Sequence, residues 1–163
     1  MKKGLFVAAA AMMICSAASV FANGGPKSGL GVGVNIGQGF GGGQIQYAIN
    51  HDLHVGAQFG LRIADGLNLT FAPYGKYFLT GTTFRPYAIG QFVIASISAK
   101  DATGSTKQTS TTGINLGGGA QYWISEKVGV YGQISVLEFP ISPSGQDIAF
   151  GVLTPSIGLE LFF

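Results

Sequence analysis

The sequence predicts an all-β fold, an eight-stranded antiparallel transmembrane up-and-down β-barrel, and three observations carry that expectation. From Leu153 the side chains alternate without a break, with Leu153, Pro155, Ile157, Leu159, Leu161 and Phe163 on one face and Thr154, Ser156, Gly158, Glu160 and Phe162 on the other. A period of two is a strand with one apolar and one mostly polar side. The chain is 47% hydrophobic and only 10% charged, whereas soluble domains average about a quarter charged. Yet beyond residue 22 no apolar run approaches the ~18 residues of a membrane helix. Backbone in lipid must satisfy its own hydrogen bonds, so without helices a closed barrel is the remaining architecture.

The first residues stand apart. Met1-Lys2-Lys3, the apolar run Leu5 to Cys15 and the small-residue end Val20-Phe21-Ala22 form a secretory signal peptide, too short in its apolar core to span a bilayer. Residues 1–22 are expected to be removed, leaving 23–163 as the barrel. Cys15 is the only cysteine and lies inside this peptide, with Met12-Met13-Ile14 before it where lipid acylation needs a small residue. Disulfides, thiolate catalysis and cysteine metal ligands are therefore excluded from residues 23–163. Without Lys2 and Lys3 the basic residues equal the seven acidic ones, which removes the electrostatic support for a nucleic-acid partner.

Strand one sets Leu30, Val32, Val34 and Ile36 against Gly29, Gly31, Gly33, Asn35 and Gly37. Inward glycine leaves room for larger side chains from opposite strands. Gln38 to Gly43 reads as a tight, mobile turn. Strand two has Ile45, Tyr47 and Ile49 outward with Gln44, Gln46, Ala48 and Asn50 inward, and turns at His51-Asp52. Strand three alternates Leu53, Val55, Ala57, Phe59, Leu61 and Ile63 with His54, Gly56, Gln58, Gly60 and Arg62, about the length a tilted strand needs to cross. Ala64-Asp65-Gly66 turns the chain.

Strand four, about Leu67 to Leu79, has Leu69, Phe71, Pro73 and Tyr77 outward, and Pro73 is expected to mark a bulge because it cannot donate to a ladder. Strand five, about Phe84 to Ser98, carries the consecutive apolar run Phe92-Val93-Ile94, so either face suits lipid; the outward set is read as Ala88, Gly90, Phe92 and Ile94. Ala99 to Thr112, rich in Ser, Thr, Gly and Lys, is expected to be a mobile loop. Strand six puts Ile114, Leu116, Gly118, Ala120, Tyr122 and Ile124 outward and Asn115, Gly117, Gly119, Gln121 and Trp123 inward. After Ser125-Glu126-Lys127, strand seven puts Val128, Val130, Gly132, Ile134 and Val136 outward. A connection from about Phe139 to Ala149 leads to strand eight. Connections after strands two, four and six are short and those after five and seven long, which places both termini in the periplasm. Tyr47, Tyr77, Tyr122 and Phe163 fall near the same strand ends, where rings form an interfacial girdle.

The segment Ser156-Ile157-Gly158-Leu159-Glu160-Leu161-Phe162-Phe163 resembles the C-terminal assembly signal of bacterial outer-membrane β-barrel proteins. Ser156, Gly158, Leu161 and Phe163 carry the match, with Leu161 where an aromatic residue is commoner. From residue 23 on, the chain resembles the outer membrane protein A-like and X-like family of small eight-stranded barrels. With the sequence ending at Phe163, the peptidoglycan-binding domain of larger members is expected to be absent. The resemblance implies a monomer in the outer membrane, with lipid and the barrel-assembly machinery as partners and an extracellular ligand, if any, on the loops. Lys100, Asp101 and Lys107 are the loop candidates for such contact.

No residue pattern asks for a cofactor. Gly37-Gln38-Gly39-Phe40-Gly41-Gly42 matches a dinucleotide-binding pattern, but strand periodicity follows it where a helix N-terminus would have to hold the pyrophosphate. His51 and His54 share a face only on a helix, and no third ligand is nearby. A lipid A-modifying barrel needs a base beside its nucleophile in the outer half, and both histidines belong to the other end.

The lumen charges are His54, Arg62, Lys76 and Glu160. At roughly 2.6 Å of height per tilted residue, Glu160 and Lys76 lie at similar levels and are expected to pair across the lumen, with His54 and Arg85 beside them. Arg62 is too high and is expected to meet Asp65 or water. The function expected is non-enzymatic, in envelope integrity or surface interaction. A lipid A enzyme or a small pore is the alternative.

Overall fold

A computed structural model describes residues 24–163 apart from 38–39, 64–66, 80, 101–103 and 144–148. The expected signal peptide lies outside the described residues. Eight strands follow in order: β1 (Gly29–Gly37), β2 (Phe40–Ala48), β3 (Leu53–Ile63), β4 (Leu67–Phe78), β5 (Phe84–Lys100), β6 (Thr106–Trp123), β7 (Val128–Ser142) and β8 (Ala149–Phe162). Each is antiparallel to the next, and β1 pairs with β8 from Gly31 opposite Phe162 to Gly37 opposite Ser156, closing the ring. The expected eight-stranded antiparallel barrel is the architecture. Among the described residues no helix is long and apolar enough to cross a membrane, which says nothing of a barrel.

Alternation along the strands sorts the side chains inside out relative to a water-soluble protein. Val34, Ile36, Ile63 and Ile157 stand exposed on the exterior, while Gln46, His54, Lys76, Arg85, Gln121 and Glu160 are buried inside. Such an exterior suits hydrocarbon, with the polar groups turned to the lumen. In β5 the outward set is Ala88, Phe92 and Ile94 and the inward set Tyr87, Ile89 and Gln91, as the alternation predicts.

Inward glycines fit one rule. Gly31 stands opposite Phe162, Gly158 opposite Tyr131, Gly119 opposite Tyr87 and Gly33 opposite Gln44. A methyl group on Gly158 would come within 2.5 Å of the Tyr131 ring, and one on Gly31 within 2.9 Å of the Phe162 ring. The room is therefore taken by the cross-strand partner on the adjacent strand, and not by a residue from across the barrel. Neighbours on one face of a ladder are the closest side chains a strand has.

Four expectations need correction. The turn after β1 does not extend to Gly43, because Gly41, Gly42 and Gly43 pair with β1 on one side and β3 on the other; ladder bonds need only backbone. Pro73 marks no bulge. Phe71 opposite Ile94 and Tyr74 opposite Gln91 keep one register across it. Most of the described part of 99–112 is strand and not loop, for β5 and β6 pair without a shift from Phe84 opposite Tyr122 to Lys100 opposite Thr106. Pairing of β4 with β5 ends at Leu69 and Ser96, and pairing of β6 with β7 ends at Thr112 and Ser142, so this hairpin overruns the ring as a two-stranded ribbon. Its threonines favour extended backbone whatever their polarity. Finally, β7 runs through Phe139 and Pro140 to Ser142, with one register shift beside Pro140 and a second at Val136. Among the described residues, the connection expected after strand five is mostly strand, and the one expected after strand seven begins as strand through Ser142; residues 144–148 lie outside the described residues.

Candidate functional site: the sealed lumen

Strands β4 and β8 stand diametrically opposite in the ring, so inward residues at one height meet on its axis. Lys76 Nζ lies 2.6 Å from Glu160 Oε1, and both side chains are sealed from solvent. Gln44 Nε2 donates to Glu160 Oε1 at 2.7 Å and Gln121 Nε2 to Oε2 at 2.6 Å. The ammonium also donates to Gln121 Oε1 at 3.3 Å and lies 4.7 Å from the Tyr131 ring centre and 4.8 Å from that of Tyr87. Removing two ions from water is expensive unless the remaining lone pairs and protons are satisfied. Here amides and ring faces replace the hydration shell.

On the side of the termini, a ring layer lies beneath this charge layer. His54 packs with ring centres 4.8 Å from Phe78, 5.3 Å from Phe162 and 6.3 Å from Trp123. Gly24, Gly25 and Pro26 are buried under it. Gly25 adopts φ +79°, and a side chain there would strike the Trp123 indole. Arg85 closes the rim: it donates to Asp52 Oδ1, the His51 carbonyl and the Leu79 carbonyl, with its guanidinium 4.9 Å from the Phe78 ring centre. The hydrogen bond from Arg85 is the chief reason the Asp52 carboxyl is held below its usual range.

Above the charge layer the lumen opens. Gln91 Nε2 donates to Gln58 Oε1 at 2.9 Å, Gln58 Nε2 to Gln44 Oε1 at 3.3 Å, and Tyr131 Oη to Gln44 Oε1 at 3.0 Å. This amide row leads from Glu160 to a cavity of about 190 Å³ lined by Asn35, Gln58, Thr70, Gln91, Asn115, Gln133, Ser135 and Ser156, among others.

Of the residues singled out in the sequence, Lys76 and Glu160 come together. His54, expected beside the pair, is the ladder partner of Lys76 on β3, with its ring packed among the aromatic rings, whereas Arg85, also expected there, binds the turn at Asp52, which lies within its reach at the rim. Arg62 is exposed on β3 opposite Asn68, and its expected partner Asp65 lies outside the described residues. Lys107 is exposed on the ribbon opposite Ala99; Lys100 is the last residue of β5, and Asp101 lies outside the described residues. In the C-terminal segment Ser156 lines the cavity, Gly158 accommodates Tyr131, Leu161 faces outward, and Phe163 N donates to Leu30 O at 2.9 Å. Among the described residues no three His, Cys, Asp or Glu side chains are grouped to hold a metal.

Known structures share the fold of this chain. The N-terminal β-barrel domain of Pseudomonas aeruginosa OprF superposes with a TM-score of 0.67 at 17% identity, over 85% of this chain and 99% of that one. Neisserial surface protein A gives 0.57 at 14% identity, over 83% of this chain and 96% of that one. The chain has the fold of the small eight-stranded outer-membrane β-barrels. A de novo designed barrel, TMB2.3, shares that fold too, with a TM-score of 0.52 at 18% identity over 85% of this chain and 96% of its own. No protein-family model and no curated protein matches the chain.

Proposed function

We propose that this protein is a non-enzymatic integral outer-membrane barrel that acts in envelope integrity or surface interaction. The observation that carries the reading is the inside-out burial. Apolar side chains cover the exterior, while the interior is closed by the pair Lys76 and Glu160 and by the ring layer of His54, Phe78, Trp123 and Phe162. A lumen filled this way argues against free diffusion through it. Two other features favour a structural role: His54 is packed among aromatic rings and His51 lies beside Asp52, so neither is set up to activate a serine.

In this reading residues 1–22 direct export and are removed. The barrel-assembly machinery reads Ser156, Gly158, Leu161 and Phe163, and the barrel works as a monomer in lipid. Tyr47, Tyr77, Tyr122 and Phe163, all exposed near the end that carries the termini, form the periplasmic girdle. The overrunning hairpin with Lys100, Asp101 and Lys107 then faces outside as the contact surface for an extracellular ligand; no nucleic acid and no cofactor take part.

The test is electrophoresis of outer-membrane fractions with and without boiling, on wild type and on a chain lacking Phe163. A mobility shift on heating, weakened by the deletion, is the expected result. A protein free in the periplasm with no shift would overturn the proposal.

A further inference from the structure

The cavity in the loop-side half of the lumen is built from seven of the eight strands, all but β2. It is closed below by the charge layer, so a solute entering it has no way through. Its lining carries three glutamines, two asparagines and the hydroxyls of Thr70, Ser135 and Ser156, and no charged side chain.

The orientation of its floor follows from one group. Facing Lys76, the Glu160 carboxylate can only accept, so Gln44 must turn its NH2 towards it. Gln44 then presents its oxygen to Gln58, whose oxygen in turn accepts from Gln91. Every amide in the row points the same way, and the row ends with the Gln91 carbonyl available to the cavity. Across the floor Gln133 accepts the Tyr87 hydroxyl through Oε1 at 3.3 Å, so what it offers a ligand is its NH2. The floor therefore presents an acceptor and a donor side by side, with hydroxyls and further amides on the wall.

We propose that this cavity is a binding site for a small uncharged solute carrying several hydroxyl groups, of monosaccharide size. A volume of about 190 Å³ equals roughly six waters at ~30 Å³ each and falls below the ~300 Å³ of pockets for larger ligands. A hydroxyl both donates and accepts, which matches a floor that offers both. A carboxylate or ammonium would lose its hydration to a lining with no counter-charge. The inference rests on the lining of the lumen and stands whichever side of a membrane the mouth faces.

The test uses the full barrel folded in detergent micelles and labelled with nitrogen-15, reading the side-chain NH2 signals of Gln58, Gln91 and Gln133. Glucose, galactose and mannose are the neutral probes and glucuronate the charged one. Saturable shifts are expected for at least one neutral sugar and none for glucuronate. Gln91→Leu should weaken binding about tenfold, the loss of roughly one hydrogen bond, while Gln108→Leu on the ribbon leaves it unchanged. Heat-shifted electrophoresis checks that each variant folds; if Gln91→Leu does not, Asn115→Leu on the wall is read in its place. Shifts that never saturate with any neutral sugar, or that are the same in the lining variant, would show a cavity that holds water only and would overturn the proposal.

Discussion

Lys76 Nζ and Glu160 Oε1 meet 2.6 Å apart at the centre of the barrel, carried there by strands on opposite walls. Because both groups are fully buried, each is the other's main source of compensation. Replacing Lys76 by Met, or Glu160 by Gln, should lower unfolding stability in lipid vesicles, with the lysine variant losing about 3–5 kcal/mol because it strands a buried carboxylate. The double variant Lys76→Met with Glu160→Leu should recover most of that loss. Equal stability of wild type and both single variants would mean that water, and not the partner, solvates each charge.

Gly158 belongs to the segment that resembles an assembly signal and also lies under Tyr131, so two explanations compete for one residue. Gly158→Ala should destabilise the barrel by about 1–3 kcal/mol when refolded in vesicles without any assembly machinery. Tyr131→Ala should relieve that loss, since the atoms nearest a methyl at 158 are those of the tyrosine side chain. If the double variant refolds well in vesicles but assembles poorly in cells, recognition of the glycine is the remaining cause.

The rim contact between Arg85 and Asp52 has a pH signature. The Asp52 carboxyl is held below its ordinary range, chiefly by the hydrogen bond from Arg85, so it binds fewer protons folded than unfolded. Its contribution is fully present above the unfolded value of about 3.9 and is lost as pH falls through the folded value. Acid titration of unfolding should show this loss, and Asp52→Asn should abolish that part of the pH dependence.

Trp123 is the only tryptophan, so its emission reports on the N-terminal segment beneath it. Gly25→Val should shift that emission to the red and cost about 1–3 kcal/mol, since Gly25 holds a left-handed φ against the indole. An unchanged spectrum would mean that the segment does not cover the ring.

Much of this architecture is legible in the alternation. Leu53 to Ile63 and Leu153 to Phe163 declare their faces residue by residue, and the similar heights of Lys76 and Glu160 follow from counting along two strands. The ends of the strands are less legible, because ladder bonds belong to the backbone: Gly41 to Gly43 and the threonines after residue 105 look like loop and pair as strand. Tyr87, Gln91, Tyr131 and Gln133 do not stand out as members of a site, although each lies on an inward face. A usable signal is the inward glycine, for Gly119 and Gly158 sit directly opposite Tyr87 and Tyr131. The choice of Arg85 between Glu160 and Asp52 depends on turn geometry that periodicity does not carry.

The seam between β1 and β8 is the one strand pairing that no hairpin sets, because its two strands are separated by almost the whole length of the described chain. Sliding it by two residues would keep every side chain on its proper face, so the in-and-out pattern alone cannot reject that error. Such a slip would carry Glu160 roughly 7 Å along β1 and change the tilt shared by all the strands, so that Lys76 and Glu160 would no longer meet at one height in a dry interior. The central pair thus acts as an index pin for the circumference: it marks the single closure in which both ends of the chain are in step.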